Sequence, residues 1–302
     1  MQRVIEEARH AAESPEPALI LGESGVGKSF LARSMHADGV RALSSLVEVI
    51  CASTSSDLLA NELFGHAGSA YTGAGKAEEG LFAQANDGTV FLDEIGVLPP
   101  EAQTLLLGVL DTGRYRPMGG RRDFAVDCKV LAATNIDMDK AITEESFRRD
   151  LFERLAGDTI CIPPLRERPG DIVPLARRLL TQECSHEPLA LSSDACEGLL
   201  TYRWPGNVRE LAKIICKAAR RANQGVIERK HVTESFRAGS FDRPVAYTDA
   251  KLEFERQYVI ERLAEAKGCV SDAARRAGQP LSTFKAIMSR SKVDARQFRQ
   301  SS

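Results

Sequence analysis

The chain has 302 residues, 43% hydrophobic and 27% charged, with a formal net charge of −2. That length exceeds one small core and predicts two or three domains, and the composition is that of an ordinary globular chain, which excludes disordered and fibrous classes. Apolar stretches stop well short of a membrane span, and the acid-bearing start "MQRVIEEARHAAESPEP" lacks a signal core, so a cytoplasmic protein with no membrane partner is expected. The seven cysteines form no CxxC pair, and several lie in apolar runs such as "VEVICA" and "DTICIP"; they are read as reduced, buried thiols.

In chain order, "PALIL", "LVEVIC", "GTVFLD", "CKVLAAT" and "DTICI" read as strands separated by helical patterns. The runs are nearly continuous rather than alternating, as in a parallel sheet buried on both faces, so residues 1–165 are expected to form an α/β domain. From "PPLRERPGDI" the strands are expected to stop, and helical patterns over roughly 170–183, 192–202, 206–223 and 229–236 predict a small all-helical domain within 166–236. "RAGSFDRPVAYTD" (237–249) reads as a linker, and a third domain is expected over 250–302. Residues 251–302 hold 11 Lys/Arg against 6 Asp/Glu, a net of +5 that leaves −7 for residues 1–250. A basic tail on an acidic body points to a nucleic-acid contact.

"LILGESGVGKSF" places a strand, then Gly22, Glu23, Ser24, Gly25, Val26, Gly27, Lys28 and Ser29 in the spacing G-x-x-x-x-G-K-S, then a helix. The glycines let backbone N–H groups close around phosphate oxygens at a helix N-terminus, a site for ATP with Mg2+. Lys28 is placed to reach the β- and γ-phosphates and the Ser29 hydroxyl to hold Mg2+. "GTVFLDEIG" ends a buried strand in Asp93 and Glu94, carboxylates that are costly there without a partner such as a cation. Asp93 is read as a Mg2+ ligand and Glu94 as the group that polarises the attacking water. Alone, that pair could be a helix cap; beside a P-loop it reads as hydrolytic machinery. A third strand ends in "AATN", where Asn135 could sense the γ-phosphate or simply end the strand.

The segments "GESGVGKS", "ELFGH", "SAYTGA", "GTVFLDEIG", "FRRDLFERL", "PPLRERPGDI" and "WPGNVREL", in that order, resemble the AAA+ domain of bacterial enhancer-binding proteins, ATPases that activate transcription by the sigma-54 form of RNA polymerase. The resemblance covers about 1–236 and implies a AAA+ P-loop ATPase with a helical lid, working as a ring, expected to be a hexamer. In this family the insert after "ELFGH" reads GAFTGA and grips the sigma factor. Here it spans residues 69–74, with Tyr71, Thr72 and Gly73 as the gripping residues. Ser69 departs from the family's first glycine, and a Cβ restricts that position if it needs a positive φ.

The resemblance gives Arg148 and Arg154, read on one amphipathic helix, the role of reaching a neighbouring subunit's nucleotide. Without it they read as a solvated helix face. Arg209 matches the lid arginine that contacts the phosphates of its own subunit. Where the family has an asparagine that holds the catalytic glutamate off line, this chain has Ile50, which implies basal hydrolysis that responds little to the sigma factor.

"CVSDAARRAGQPLSTFKAIMSRSK" gives a short helix (271–277), a turn at Gly278 and a second helix from about 281, which is helix-turn-helix spacing. It resembles the Fis-type domain that ends most such activators, with Gln279 and Pro280 departing from the usual turn. Ser282, Thr283, Lys285 and Arg290 are the expected contacts to double-stranded DNA. A small dimerising unit is the alternative for this segment.

The function expected is ATP-dependent activation of sigma-54 RNA polymerase from an upstream DNA site, through the loop at 69–74. The alternative is a nucleotide-binding, DNA-binding regulator that does not remodel sigma-54; a general AAA+ motor is disfavoured by "ELFGH" and "SAYTGA". No sensory segment precedes Gly22 in this sequence, so control is expected from a separate regulatory protein or from a longer chain of which this is a piece.

Overall fold

A computed structural model describes residues 1–52, 56–67, 78–183, 190–222, 225–239, 258–260, 262–263, 265–266, 268–290, 293 and 295. It divides into two compact units, Met1–Phe236 and Arg237–Ser302. In the first, strands β1 (Ala18–Leu21), β2 (Leu46–Ile50), β3 (Thr89–Asp93), β4 (Lys129–Thr134) and β5 (Asp158–Cys161) form one parallel sheet in the order β2-β3-β4-β1-β5.

The two-residue period of a strand sorts the apolar runs onto two faces. Leu19, Val90, Leu92, Val130 and Ala132 pack on one side, against helices α3 (Ser56–Phe64), α4 (Pro100–Thr112) and α5 (Arg149–Leu155). Ala18, Ile20, Phe91, Leu131, Ala133 and Ile160 pack on the other, against α1 (Gln2–Glu13) and α2 (Lys28–Asp38). Burial on both faces is why these strands read as continuous hydrophobic runs. The buried Lys129 fastens the end of α1 to the sheet: its Nζ donates to the carbonyls of Ala11 at 2.9 Å, Ser14 at 2.7 Å and Glu16. Burial pushes that ammonium's pKa down, and Asp158 and Glu16 oppose the shift.

The carboxyl ends of the central strands are in register, with Asp93 opposite Ile50 and Ala133, and Leu21 opposite Thr134. The segments that follow β1, β3 and β4 therefore leave from one edge, the edge where open parallel sheets bind ligands.

Residues 165–236 surround a separate core. Helices α6 (Pro169–Glu183), α7 (Ser193–Leu200), α8 (Asn207–Arg221) and α9 (Arg229–Gly239) pack about the fully buried Trp204, whose indole N–H donates to Leu199 O at 3.0 Å. Within this helical part, Ala190–Leu191 and Val226–Ile227 make a two-residue parallel pair, a departure from the all-helical expectation. Two residues are too few to leave a periodic signal.

Two small hairpins also escape sequence periodicity: Gly65–His66 with Glu78–Glu79, and Arg114–Tyr115 with Phe124–Ala125. The cysteines need a correction too. Among those described, only Cys51 is buried, while Cys161 and Cys269 are exposed. Cys161 lies on the edge strand β5, where Ile160 takes the inward position and its neighbours face out.

In the second unit, helices α10 (Val270–Arg276) and α11 (Leu281–Arg290) flank Gly278, whose φ of 63° makes the turn. Ala273, Ala274 and Phe284 are buried together with Val259 and Leu263. The expected linker, 237–249, lies almost entirely outside the described residues.

Candidate active site

Gly22–Ser29 leaves β1 and enters α2, with Gly27 as the N-cap at φ 108°. Gly25 has φ 78°, and a Cβ there would stand 2.5 Å from the Gly206 carbonyl, so this position admits only glycine. The turn aims its backbone toward the positive end of α2, a cradle for anions. Lys28 reaches back across it, donating to Gly22 O at 2.8 Å and Glu23 O at 3.1 Å. Its ammonium is buried, which lowers its pKa, and Asp93 and Glu94 work against that shift. A cation held here among carbonyls is poised for a stronger negative partner.

The Ser29 hydroxyl donates to Asp93 Oδ2 at 2.8 Å, and Glu94 N donates to Asp93 Oδ1 at 3.0 Å. Glu94 itself adopts φ 58°, ψ 42°. This left-handed conformation costs a non-glycine residue on the order of 1–2 kcal/mol. It turns the chain sharply after β3, and the carboxylate-bearing residue lines the same open cleft as Gly25, Lys28, Ser29, Asp93 and Arg209. Ser29 and Asp93 supply hard oxygen donors that suit Mg2+. Among the described residues no cluster of three or more His, Cys, Asp or Glu gathers, so water and phosphate oxygens would complete such an ion's coordination.

The helical part is stapled onto the P-loop. Val208 N and Arg209 N donate to Gly25 O at 2.9 and 3.2 Å, and Arg209 Nη1 donates to Ser24 Oγ at 2.8 Å. Asn207 is fully buried at φ 52°; its amide donates to Glu23 Oε2 and Ser24 O and accepts from Leu165 N at 2.8 Å. Arg166 grips the Glu23 carboxylate through both nitrogens at 2.9 and 2.6 Å, which holds Glu23 below the usual carboxylate range. Arg168 donates to Val26 O at 2.8 Å.

Asn207, Arg166 and Arg168 are site residues that the motif reading passed over. Two arginines in "LRER" and an asparagine at a helix start were the available signals. Beside the cradle opens a largely apolar cavity lined by Ile5, Ala8, Leu31, Ile162, Leu175 and Val208, drawn from α1, α2, the segment after β5, α6 and α8. No local pattern announces a wall built from so many elements.

The remaining predicted residues lie elsewhere. Asn135 is exposed just past β4 and is absent from the cleft's lining. Arg148 is the N-cap of α5 rather than part of the helix, because Gln103 Oε1 accepts its backbone N–H at 2.9 Å and fixes the helix start. Its guanidinium pairs with Asp150 and Thr104, and Arg154 pairs with Asp111 at 2.6 Å. Neither lines the cleft. Ser282, Thr283, Lys285 and Arg290 are exposed on α11 around the buried Phe284. Ser69, Tyr71, Thr72 and Gly73 lie outside the described residues, between the paired strands Gly65–His66 and Glu78–Glu79.

Residues 1–161 match the family model described as the Sigma-54 interaction domain, and residues 166–247 match the AAA+ ATPase lid domain. The transcriptional regulatory protein GlrR of Escherichia coli K12 is 38% identical over 99% of this chain and 68% of its own length. The Nif-specific regulatory protein of Azotobacter vinelandii is 39% identical over 92% of this chain. The chain spans about two thirds of the first relative and 55% of the second. Among solved structures, NtrX from Brucella abortus in complex with ATP superposes with a TM-score of 0.70 at 25% identity, covering 97% of this chain and 68% of that one. The sheet and helical lid are those of a AAA+ P-loop ATPase. Among the described residues, no helix is long and apolar enough to cross a membrane.

Proposed function

The chain belongs to the sigma-54-dependent transcriptional activators, and from that membership we propose that it hydrolyses ATP as a ring and acts on the sigma-54 promoter complex through the loop at 69–74. The observation that carries the hydrolytic part is the Ser29–Asp93 contact at 2.8 Å, which joins P-loop and β3 across 64 positions of sequence. Lys28, Glu94 and Arg209 stand around it in one cleft.

Lys28 and Arg209 bind and orient the phosphates, and the backbone N–H groups at the start of α2 close on them. Ser29 and Asp93 hold Mg2+, which when bound supplies charge neutralisation of the phosphate oxygens. Glu94, at the turn after β3, orients a water and withdraws its proton. Arg148 and Arg154 act on a neighbour's nucleotide. The adjoining apolar cavity takes the nucleobase, whose flat ring is matched by Leu31, Ile162 and Val208. On this reading residues 1–165 and 166–236 are ATPase and lid, 237–249 a linker, and 250–302 a DNA-binding domain with α11 in the major groove.

The test separates hydrolysis from its use. Thr72→Ala should hydrolyse ATP near the wild-type rate while losing activation of transcription in vitro from a sigma-54 promoter. Full transcription by this variant would remove the loop from the mechanism. Normal hydrolysis with no activation by the wild type would leave a nucleotide-binding DNA regulator instead.

A further inference from the structure

We propose that the exposed hairpin of Arg114–Tyr115 and Phe124–Ala125 holds a single strand of DNA, with its arginines on the phosphates and Phe124 against a base. Between Gly113 and Ala125 the chain carries Arg114, Arg116, Arg121 and Arg122 against Asp123 alone, a net of +3 on a body that is otherwise acidic. All four arginines are exposed. Arg116 is committed to Asp123 at 2.7 Å, whereas Arg121 and Arg122 make no side-chain hydrogen bond or ion pair among the described residues. Every cation here is arginine, the side chain whose planar fork matches phosphate oxygens and also stacks on rings.

Tyr115 and Phe124 stack with centroids 5.8 Å apart, and Phe124 remains 50% exposed. A half-exposed ring supported from behind by a second ring, and flanked by free cations, has the makings of a platform for unpaired bases. Asp123 is spent on Arg116, and burial, with Glu79 adding to it, pushes the Tyr115 phenol's pKa up.

The hairpin is not an independent appendage. Ala67 N donates to Met118 O at 3.0 Å, and Met118 N donates to Gly65 O at 2.9 Å. The strand Gly65–His66, which leads into the loop at 69–74, is thus bonded to the hairpin on one side and to Glu78–Glu79 on the other. A displacement of the loop's stem moves the basic hairpin with it. The inference rests on the sigma-54 reading only in that an opening promoter is where an unpaired strand would be met.

The test measures binding of a labelled single-stranded oligodeoxynucleotide to the whole chain across a salt series, with no sigma factor present. The basic tail contributes the same salt-dependent attraction to wild type and variants, so the difference between them reads the hairpin. The double variant Arg121→Ala/Arg122→Ala should reduce the slope of log affinity against log salt by about 1.4, at about 0.7 per lost phosphate contact. Phe124→Ala should weaken binding roughly 5- to 150-fold, the range expected for one lost stacking contact. Unchanged ATP hydrolysis in both variants will verify the fold. Wild-type slope and affinity in both variants would overturn the proposal. So would variants that keep single-strand binding but lose sigma-factor binding, since the hairpin would then serve an acidic protein segment. The Thr72→Ala experiment fails or succeeds separately, because it reads transcription rather than oligonucleotide binding.

Discussion

Lys28 and Arg209 come to the phosphate cleft from within their own chain, whereas Arg148 and Arg154 stay on the surface, tied to Asp150 and Asp111. The first pair is held by backbone carbonyls and by the Ser24 hydroxyl, in an open cleft lined by a single chain. The second pair sits in exposed ion pairs that solvent screens strongly. Such pairs are readily exchanged for a phosphate, and neither arginine lines the cleft of its own chain. On the proposed reading, one subunit carries the groups that bind the nucleotide, and its neighbour supplies the arginines that act on it.

The sharpest way to break that comparison is at the surface arginines. Arg148→Ala and Arg154→Ala should each lower the ATPase rate by about 10³- to 10⁵-fold, the scale of a lost arginine finger, while nucleotide binding by fluorescence stays near wild type. Mixing Arg154→Ala with Lys28→Ala subunits should restore part of the rate, since each supplies what the other lacks. No restoration, with both variants still assembling, would place Arg154 on its own nucleotide. Next in size, Glu94→Gln should cost about 10²- to 10⁴-fold in turnover with ATP affinity intact, whereas Lys28→Ala should lose affinity. Equal loss of affinity in both would contradict the division of roles.

Ile50 offers a middle-sized test. It lies opposite Asp93 in the sheet and is 56% exposed, so a polar side chain fits there without burial. An asparagine amide holding the Glu94 carboxylate would be worth about 1.5–3 kcal/mol, or roughly 10- to 150-fold in population. Ile50→Asn should therefore lower basal hydrolysis and make it rise on adding the sigma factor; an unchanged rate would exclude that contact.

The smallest effect belongs to the Glu23–Arg166 clasp, whose partners are more than one-third exposed. Because Arg166 lowers the folded pKa of Glu23, its contribution is present above the unfolded carboxylate range and is lost as pH falls through the folded value. Solvent screening keeps that contribution below about 1 kcal/mol. Glu23→Gln should remove this acid-side component from a denaturation series while leaving stability near pH 7 almost unchanged. By contrast, Asn207→Ala should cost about 1–3 kcal/mol at every pH, because the buried Leu165 N–H loses its acceptor.

The five strands, the P-loop and the acidic strand end were legible in the residues alone, because each is a local pattern: a continuous apolar run, a glycine spacing, or charges ending a hydrophobic segment. It also placed α8, α10 and α11 to within a residue or two, from periodicity and from glycine at the turn. It did not reveal the Asn207 and Arg166 bonds to the P-loop, since those partners lie more than a hundred positions apart and only packing brings them together. Nor could it assign Cys161 to the surface, because an apolar run does not say which strand will be the edge. The bonds from Met118 to Gly65 and Ala67 were likewise settled by tertiary structure, through main-chain groups that every residue possesses and no sequence pattern marks.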